Sequence, residues 1–138
     1  EETDLDLVGA RVVKVTQELA EAHYRHLCDK PFFGELIHFL MGDLHNHRDK
    51  VLAMVFSGVD AVKKGREIAG ATNPELADPH SLRGSMGRVT TKGVFENVIH
   101  VSSDPVEAER EIKLWFTPEE LTLELFLVTT SGHRKVWA

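Results

Sequence analysis

The most informative part of this 138-residue chain is the segment ENVIHVSSDPVEAEREIKLWFTPEEL, residues 96–121. Its first six residues, ENVIHV, predict a strand that carries His100, and the letters SSDP predict a turn after that strand. Asp104 suits the cap of a helix, Pro105 suits its first position, and Glu107 completes a capping box. The segment therefore predicts a strand, a turn and an amphipathic helix in direct succession.

Strands and helices alternate on both sides of this segment. Hydrophobic periodicity predicts a strand at 5–15, helices at 17–28 and 33–41, a strand at 51–56, a helix at 59–69, a short helix that begins at Thr117, a strand at 121–130 and a tail at 131–138. Such alternation in a chain of 138 residues predicts one domain of the α/β or α+β class with a small sheet.

A long connection, residues 70–95, is rich in Gly, Pro, Asn, Thr and Asp and shows no convincing periodicity. Connections of this length without secondary structure are usually functional or disordered. Five polar residues on or beside it are candidates for binding anions: Arg66, Thr72, Arg83, Arg88 and Lys92. Planar guanidinium groups and hydroxyls suit the oxygens of a polyphosphate, and the alternative is that these are solvated surface charges.

His100 is the candidate nucleophile. A nucleophilic histidine needs a partner for its second ring nitrogen, and the carboxylate of Glu111 on the following helix is of the right type. The N-terminus of that helix also points unpaired N–H groups and a positive dipole towards the neighbourhood of His100, which favours a negatively charged ligand. These features support phosphate chemistry, and the alternative is a half-buried histidine with a structural role.

Composition excludes several classes of function. The chain has 16 Lys and Arg against 22 Asp and Glu, a net charge of −6, which argues against a general nucleic-acid or anionic-membrane surface. The single Cys28 cannot form an intrachain disulfide, and no apolar run approaches the roughly 18 to 20 residues of a transmembrane span. We expect no signal peptide, and hence a cytoplasmic protein with no stable nucleic-acid partner and no membrane.

Four segments together resemble the nucleoside diphosphate kinase family: HYRHLCDKPFF at 23–33, KKGREIAGATNPELADP at 63–79, SLRG at 81–84 and the segment at 96–121. The likeness covers Leu7 to Leu121. Each motif alone is weak, but the four occur in the family's order. The resemblance implies a ferredoxin-like α/β fold, a βαββαβ sandwich with a long nucleotide-binding loop. It also implies ping-pong transfer of a γ-phosphoryl group from a nucleoside triphosphate to a nucleoside diphosphate.

The resemblance also implies roles for single residues. His100 matches the phosphorylated histidine and Glu111 the carboxylate that orients it, while Tyr24 and Ser102 match residues that support the histidine. Five residues match the nucleotide ligands: Phe32 stacks on the base, Arg66, Thr72 and Arg83 bind phosphates, and Asn97 meets the sugar hydroxyl. Mg²⁺ is expected on the phosphates of ATP, GTP, ADP or GDP, with no metal ligand from the protein. A homo-oligomer, a tetramer or hexamer built from dimers, is expected too.

The chain departs from the family pattern in three ways. The family reads His-Gly-Ser-Asp where this chain reads HVSS from His100, and extra residues occur near 43–49 and 87–93. The family's first strand, with a Lys-Pro-Asp motif, and its first helix have no counterpart here. We expect either that the sequence is a partial chain or that the strand at 121–130 takes that place. The expected organisation is one kinase-like domain over 1–138 with a C-terminal extension at 122–138.

Two other functions remain as alternatives. The altered HVSS turn and the missing lysine strand also suit a catalytically impaired nucleotide-binding or oligomeric scaffold on the same fold. Weaker still is a metal-dependent nuclease. Separately, His38, Asp43, His45 and His47 are candidates for a metal site, and the alternative is that they belong to a solvated loop.

Overall fold

The computed structural model describes residues 3–44, 46 and 48–138. The strands are β1 (Asp6–Lys14), β2 (Lys50–Ser57), β3 (Arg88–Val89), β4 (Phe95–Glu96), β5 (Val128–Ser131) and β6 (Arg134–Trp137). The α-helices are α1 (Gln17–His23), α2 (Phe33–Leu40), α3 (Ala61–Ala69), α4 (Leu82–Met86) and α5 (Pro105–Trp115). Single 3₁₀ turns lie at Arg25–Leu27, Pro74–Leu76 and Pro118–Glu120.

The chain divides into two compact units. The loop unit comprises residues 3–6 and 57–109 and holds α3, α4, β3 and β4. The sheet unit comprises residues 7–56 and 110–138 and holds β2, the two helices α1 and α2, the hairpin β5–β6 and nearly all of β1. Helix α5 runs from the first unit into the second. Among the described residues, no helix is long and apolar enough to cross a membrane.

In the sheet unit, β1 pairs with β2, as expected from two runs rich in Val and Leu. The backbone N–H of Val15 donates to the carbonyl of Asp49 at 2.7 Å, so the end of β1 lies beside the start of β2. Two apolar clusters form the core, one around Val8, Val55 and Phe116 and the other around Val15, Ala20 and Ile37. Alternate residues of β2 remain exposed on its other face: Leu52, Met54 and Phe56.

The helices of the sheet unit begin and end at local signals. The hydroxyl of Thr16 accepts the N–H of Leu19 at 3.2 Å and caps α1. The predicted helix at 17–28 is too long, because α1 ends at His23 and a 3₁₀ turn replaces its last turn. The predicted helix at 33–41 agrees with α2 within one residue, and Gly42 follows it with φ of 77°, a conformation that favours glycine.

The connection at 70–95, which shows no convincing periodicity, contains short elements of regular structure. It holds a 3₁₀ turn at Pro74–Leu76, the five-residue helix α4 and the antiparallel pair β3–β4. Asn73 caps the 3₁₀ turn by accepting the N–H of Glu75 at 3.0 Å. Elements of two to five residues are too short to produce a hydrophobic period, so the sequence pattern does not reveal them.

The predicted strand ENVIHV is wrong as well. Only Phe95 and Glu96 form a strand, and residues 97–104 belong to neither a helix nor a strand. The chain turns instead at Val98, whose φ is 66°, and the N–H of Ile99 donates to the carbonyl of Asn97 at 2.7 Å. Helix α5 then begins at Pro105, where the sequence predicts it.

The C-terminal segment also differs from its prediction. The short helix predicted to begin at Thr117 is a 3₁₀ turn with a capping box, but no strand spans 121–130, and the expected tail at 131–138 contains strand β6. Strands β5 and β6 form an antiparallel hairpin in which Val128 pairs with Trp137. One backbone bond joins this region to β1, from the N–H of Thr122 to the carbonyl of Val8 at 2.9 Å. Within the described residues, the segment at 121–130 therefore does not supply a strand beside β1.

Candidate active site

The backbone that leads into His100 is tightly turned. Val98 lies in the left-handed region with φ of 66°, which is unusual for a β-branched residue, and Asn97 and Ile99 close the turn through a backbone bond of 2.7 Å. His100 itself is exposed. Asn97 and Ser102, on either side of it, are half-buried. The structure therefore places an accessible imidazole on an ordered, bonded stretch of chain.

Arg83 contacts this stretch directly. The residue is only 8% exposed. Its Nε and Nη2 donate to the carbonyl of Ile99 at 3.3 and 2.9 Å, and its Nη1 donates to the carbonyl of Gly70 at 2.8 Å. The resemblance predicts a phosphate ligand at this position, and that role stays a prediction. What the structure adds is a bridge from Arg83 to the residue before His100.

Local capping explains why Arg83 is held there. Ser81 begins α4: its hydroxyl donates to the carbonyl of Asp78 at 2.6 Å and accepts the N–H of Gly84 at 3.2 Å. Gly84 is required because a Cβ atom there would overlap the carbonyl oxygen of Asp78. Gly70, at the other end of the bridge, has φ of 87°. The short helix and the arginine on it are thus positioned by a few side-chain and backbone contacts.

A cleft of about 890 Å³ lies beside α3 in the loop unit. Its lining includes residues from α3, from the turn that follows α3 and from the turn before α5: Lys63, Arg66, Glu67, Gly70, Ser103 and Asp104. Arg66 is exposed in the last turn of α3, and Thr72 is exposed just beyond Gly70. Of the predicted phosphate ligands, Arg66 is the one that lines this cleft.

Asp104 shapes the turn after His100. Its carboxylate accepts the N–H of Glu107 at 2.9 Å and the hydroxyl of Ser103 at 3.0 Å. Chiefly the first of these bonds, and then the second, hold the pKa of Asp104 below its ordinary value of 3.8. Val101 stands where the family has glycine, and its side chain lies against Gly65 of α3: a Cβ atom built on Gly65 would lie 3.4 Å from Cγ1 of Val101. Although Ser103 stands where the family has aspartate, Asp104, one residue later, caps the helix.

The sheet unit holds the other predicted residues. Glu111 is 7% exposed on α5, and Nη2 of Arg110 lies 3.8 Å from its Oε1. Tyr24 is half-buried and packs edge to face on the ring of His23, with centroids 4.7 Å apart. Phe32 is exposed directly before α2, where its ring is accessible.

His23 is a buried polar residue to which the sequence analysis gives no role. It is 3% exposed, and its Nδ1 lies 3.1 Å from the indole Nε1 of Trp115. Because an indole N–H can only donate, Nδ1 accepts and the ring proton lies on Nε2. A ring nitrogen of His23 and a carboxylate oxygen of Glu111 lie within 4.8 Å of each other. The position of His23 directly before Tyr24, at the start of the segment HYRHLCDKPFF, is the signal that could have indicated it.

The proposed metal site is only partly described. Nδ1 of His38 lies 2.7 Å from Oδ2 of Asp43. His45 and His47 lie outside the described residues, so the four-residue site and the nuclease function remain predictions.

Comparison with known proteins gives a consistent result. A profile of the family described as nucleoside diphosphate kinase matches residues 1–121. The nucleoside diphosphate kinases of Staphylococcus haemolyticus and Staphylococcus aureus (strain Newman) are 47% and 43% identical over 122 residues. In both cases the match covers 88% of this chain and 75% of the relative.

Solved structures agree. The halophilic nucleoside diphosphate kinase of Halobacterium salinarum, in complex with CDP, has 35% identity and a TM-score of 0.75, over 88% of this chain and 75% of that one. A transition-state mimic of the Borrelia burgdorferi enzyme with vanadate and ADP has 29% identity and a TM-score of 0.74, over 87% and 74%. The predicted ferredoxin-like α/β fold is confirmed by these neighbours. The chain belongs to the nucleoside diphosphate kinase family of phosphotransferases.

Proposed function

We propose that this kinase carries the transferred phosphoryl group on His100. In the first half-reaction a ring nitrogen of His100 attacks the γ-phosphorus, and the bond to the bridging oxygen breaks. The nucleoside diphosphate leaves with that electron pair. In the second, a terminal oxygen of another nucleoside diphosphate attacks the phosphorus, and the P–N bond breaks. The observation that carries this proposal is an exposed His100 on a backbone that a buried arginine holds in place.

Three residues are proposed to support the histidine. Glu111 orients the imidazole, and its burial favours this role because a desolvated carboxylate interacts strongly with a nearby N–H donor. Tyr24 and Ser102 are proposed to limit the movement of the ring, and both are half-buried. These roles follow from the resemblance, and burial is the structural support for them.

Nucleoside di- and triphosphates such as ATP, GTP, ADP and GDP are the proposed ligands. The ring of Phe32 is exposed and is proposed to stack on the base. Such stacking does not depend on which base is bound, because every base has a π-face. The side chains of Arg66 and Thr72 are exposed and are proposed to bind the phosphates. Asn97 is half-buried and is proposed to bind the sugar hydroxyl. Arg83 is proposed to contribute positive charge from a buried position.

A divalent cation accompanies the nucleotide in this family of enzymes, and Mg²⁺ is the proposed ion. The protein groups predicted to bind the phosphates are guanidinium groups and one hydroxyl. Mg²⁺ binds instead to carboxylates, phosphates and water. The carboxylate of Asp104 is engaged by Glu107 and Ser103. This donor set fits an ion that arrives on the phosphates and shares their charge, with no resident protein ligand.

A homo-oligomer is the proposed assembly, a tetramer or hexamer built from dimers. The exposed apolar side chains of Leu52, Met54 and Phe56 on β2 support burial of further surface in an assembly. Light scattering coupled to size exclusion tests this, and a mass equal to one chain would contradict it. A cytoplasmic location also stays a prediction, which cell fractionation tests.

The decisive experiment uses γ-labelled ATP. We expect the protein to take up acid-labile label and His100→Gln to take up none, with kcat reduced by on the order of 10⁴-fold. The control is His133→Gln, an exposed histidine in the β5–β6 turn, which should label normally. Label on the His100 variant would exclude this nucleophile. An unmodified protein that binds nucleotide but never labels would favour the scaffold alternative.

A further inference from the structure

We propose that Arg83 is a positioning residue that fixes the backbone from which His100 projects. Its guanidinium joins Gly70, where the loop at 70–95 begins, to Ile99, which directly precedes His100. The inference rests on the proposed phosphohistidine function and adds a second role to a residue that the resemblance assigns only to phosphate binding.

The geometry of the bridge supports a positioning role. Nε, Nη1 and Nη2 of Arg83 each donate to a backbone carbonyl, and the side chain is 8% exposed. Carbonyl oxygens buried beside a guanidinium make charge-assisted hydrogen bonds, which are stronger than neutral ones. A rigid, planar fork can hold two carbonyls at once, whereas the single ammonium of a lysine cannot reproduce that geometry.

The turn that Arg83 holds is strained. Val98 has φ of 66°, and a β-branched residue in this region costs free energy that the surrounding structure must offset. The carbonyl that Arg83 binds belongs to Ile99, the residue immediately after Val98. If the arginine left this carbonyl, the turn would lose a charge-assisted hydrogen bond that opposes its relaxation. His100 is the next residue, so relaxation would move its ring away from the direction of in-line attack.

This role differs from phosphate binding in its kinetic consequence. A phosphate ligand that binds ground and transition states alike changes KM, whereas a residue that aims the nucleophile changes the rate of the chemical step at saturating nucleotide. A displacement of about 1 Å at a reacting group can reduce a rate by about 100-fold. The two roles are therefore separable by measuring kcat and KM independently.

The test compares Arg83→Lys with the double variant Arg83→Lys/Val98→Gly. The first keeps a positive charge but loses the fork. The second also removes the strain of the turn, because glycine adopts a φ of 66° readily. Rapid-quench measurements of acid-labile phosphoenzyme at saturating ATP should show a rate in Arg83→Lys about 10- to 100-fold below that of the unmodified protein. The double variant should recover part of that loss, because an unstrained turn has less tendency to relax. KM for ATP should change by no more than about threefold in either variant. Thermal unfolding should show that both variants are folded.

The matched control is Arg134→Ala. Arg134 is an exposed arginine of β6 and is not among the residues predicted to bind the nucleotide. It should keep both kcat and KM within about twofold of the unmodified protein. Added ethylguanidinium should partly restore the phosphorylation rate of Arg83→Ala and should not affect His100→Gln.

Two outcomes would overturn the inference while leaving the phosphohistidine mechanism intact. One is a normal kcat in Arg83→Lys together with a KM raised tenfold or more. The other is a double variant Arg83→Lys/Val98→Gly that phosphorylates no faster than Arg83→Lys. Absence of acid-labile label from the unmodified protein would overturn the proposed function, and this inference with it.

Discussion

Burial distinguishes the two arginines of the candidate site. Arg83 is nearly inaccessible and donates to the carbonyls of Gly70 and Ile99. Arg66 is exposed in the last turn of α3 and lines the cleft of about 890 Å³. An exposed guanidinium can reorient towards incoming phosphates at little cost to the fold, whereas a buried one contributes to the fold itself.

Replacing Arg66 should therefore affect binding and leave stability nearly unchanged. We expect Arg66→Ala to raise KM for both the triphosphate and the diphosphate about tenfold, because one charge-assisted contact to phosphate is lost. The free energy of unfolding should change by less than about 0.5 kcal/mol. Steady-state kinetics with both substrates and urea denaturation measure these quantities. Arg134→Ala, an exposed arginine in β6, is the control, and an unchanged KM in the Arg66 variant would refute this role.

At the scale of the element, the five-residue helix α4 depends on its cap. Ser81 is 5% exposed and makes two hydrogen bonds through its hydroxyl, to the carbonyl of Asp78 and from the N–H of Gly84. A helix this short has almost no internal hydrogen bonding, so the cap makes a large contribution to its stability. Because α4 carries Arg83, this cap also sets the position of the guanidinium.

We predict that Ser81→Ala lowers the free energy of unfolding by about 1 kcal/mol. Chemical denaturation monitored by circular dichroism measures the change. Ser85→Ala is the matched control, because its hydroxyl donates to the carbonyls of Ser81 and Leu82 within or next to the same helix and caps nothing. The control should change stability by less than about 0.5 kcal/mol. Equal losses in the two variants would show that the cap has no special role.

Helix α5 has a cap that responds to pH. The N–H of Glu107, and then the hydroxyl of Ser103, lower the pKa of Asp104 below 3.8. A carboxyl group whose pKa is lower in the folded state than in the unfolded state stabilises the fold, and its contribution is complete at any pH above the unfolded-state pKa. That contribution is lost as the pH falls through the folded pKa.

Asp104→Asn should reveal this dependence. Asparagine keeps the accepting oxygen but removes the charge, so the variant should be less stable than the unmodified protein at pH 7. The difference should shrink as the pH falls below about 4, as the aspartate becomes protonated. Asp104→Ala loses the cap itself and should be less stable than the unmodified protein at both pH 7 and pH 3. Urea denaturation from pH 7 to pH 3 measures the three proteins, and a difference that does not vary with pH would contradict the prediction.

At the scale of the molecule, the C-terminal hairpin extends beyond the part that matches the family. The family profile ends at residue 121, yet the indole N–H of Trp137 donates to the carbonyl of Phe116 at 2.8 Å. The backbone N–H of Lys135 donates to the carboxylate of Glu119 at 3.0 Å. The extension is therefore packed against the end of α5 and the 3₁₀ turn after it.

Trp137→Phe should reduce stability without affecting catalysis. The substitution keeps an aromatic ring against Phe126 but removes the bond to Phe116, so we expect a loss of about 1 kcal/mol. Values of kcat and KM should stay within about twofold, because the extension lies outside the family match. The control is His133→Ala in the exposed hairpin turn. A variant as stable as the unmodified protein would show that the hairpin contributes nothing through this bond.

The elements that could be predicted from sequence are those with local causes. Helices α2, α3 and α5 have apolar stripes and a cap or a terminating glycine within a few residues, and β1 is a long Val-rich run. The predictions of strands at 96–101 and 121–130 are wrong because those segments depend on distant partners. Ile99 is held by Arg83, and Thr122 bonds to Val8, which is far away in sequence.

The sequence by itself determined the family, the chemical character of His100 and Glu111, and the helix starts, because motif order and capping residues act through neighbours along the chain. The tertiary structure decided that Arg83 is buried on the backbone before His100 while Arg66 stays exposed. It also decided that His23 accepts from Trp115 and that the last residues form a hairpin. Burial and the pairing of polar groups depend on contacts between residues that are far apart in the sequence, and hydrophobic periodicity does not indicate such contacts.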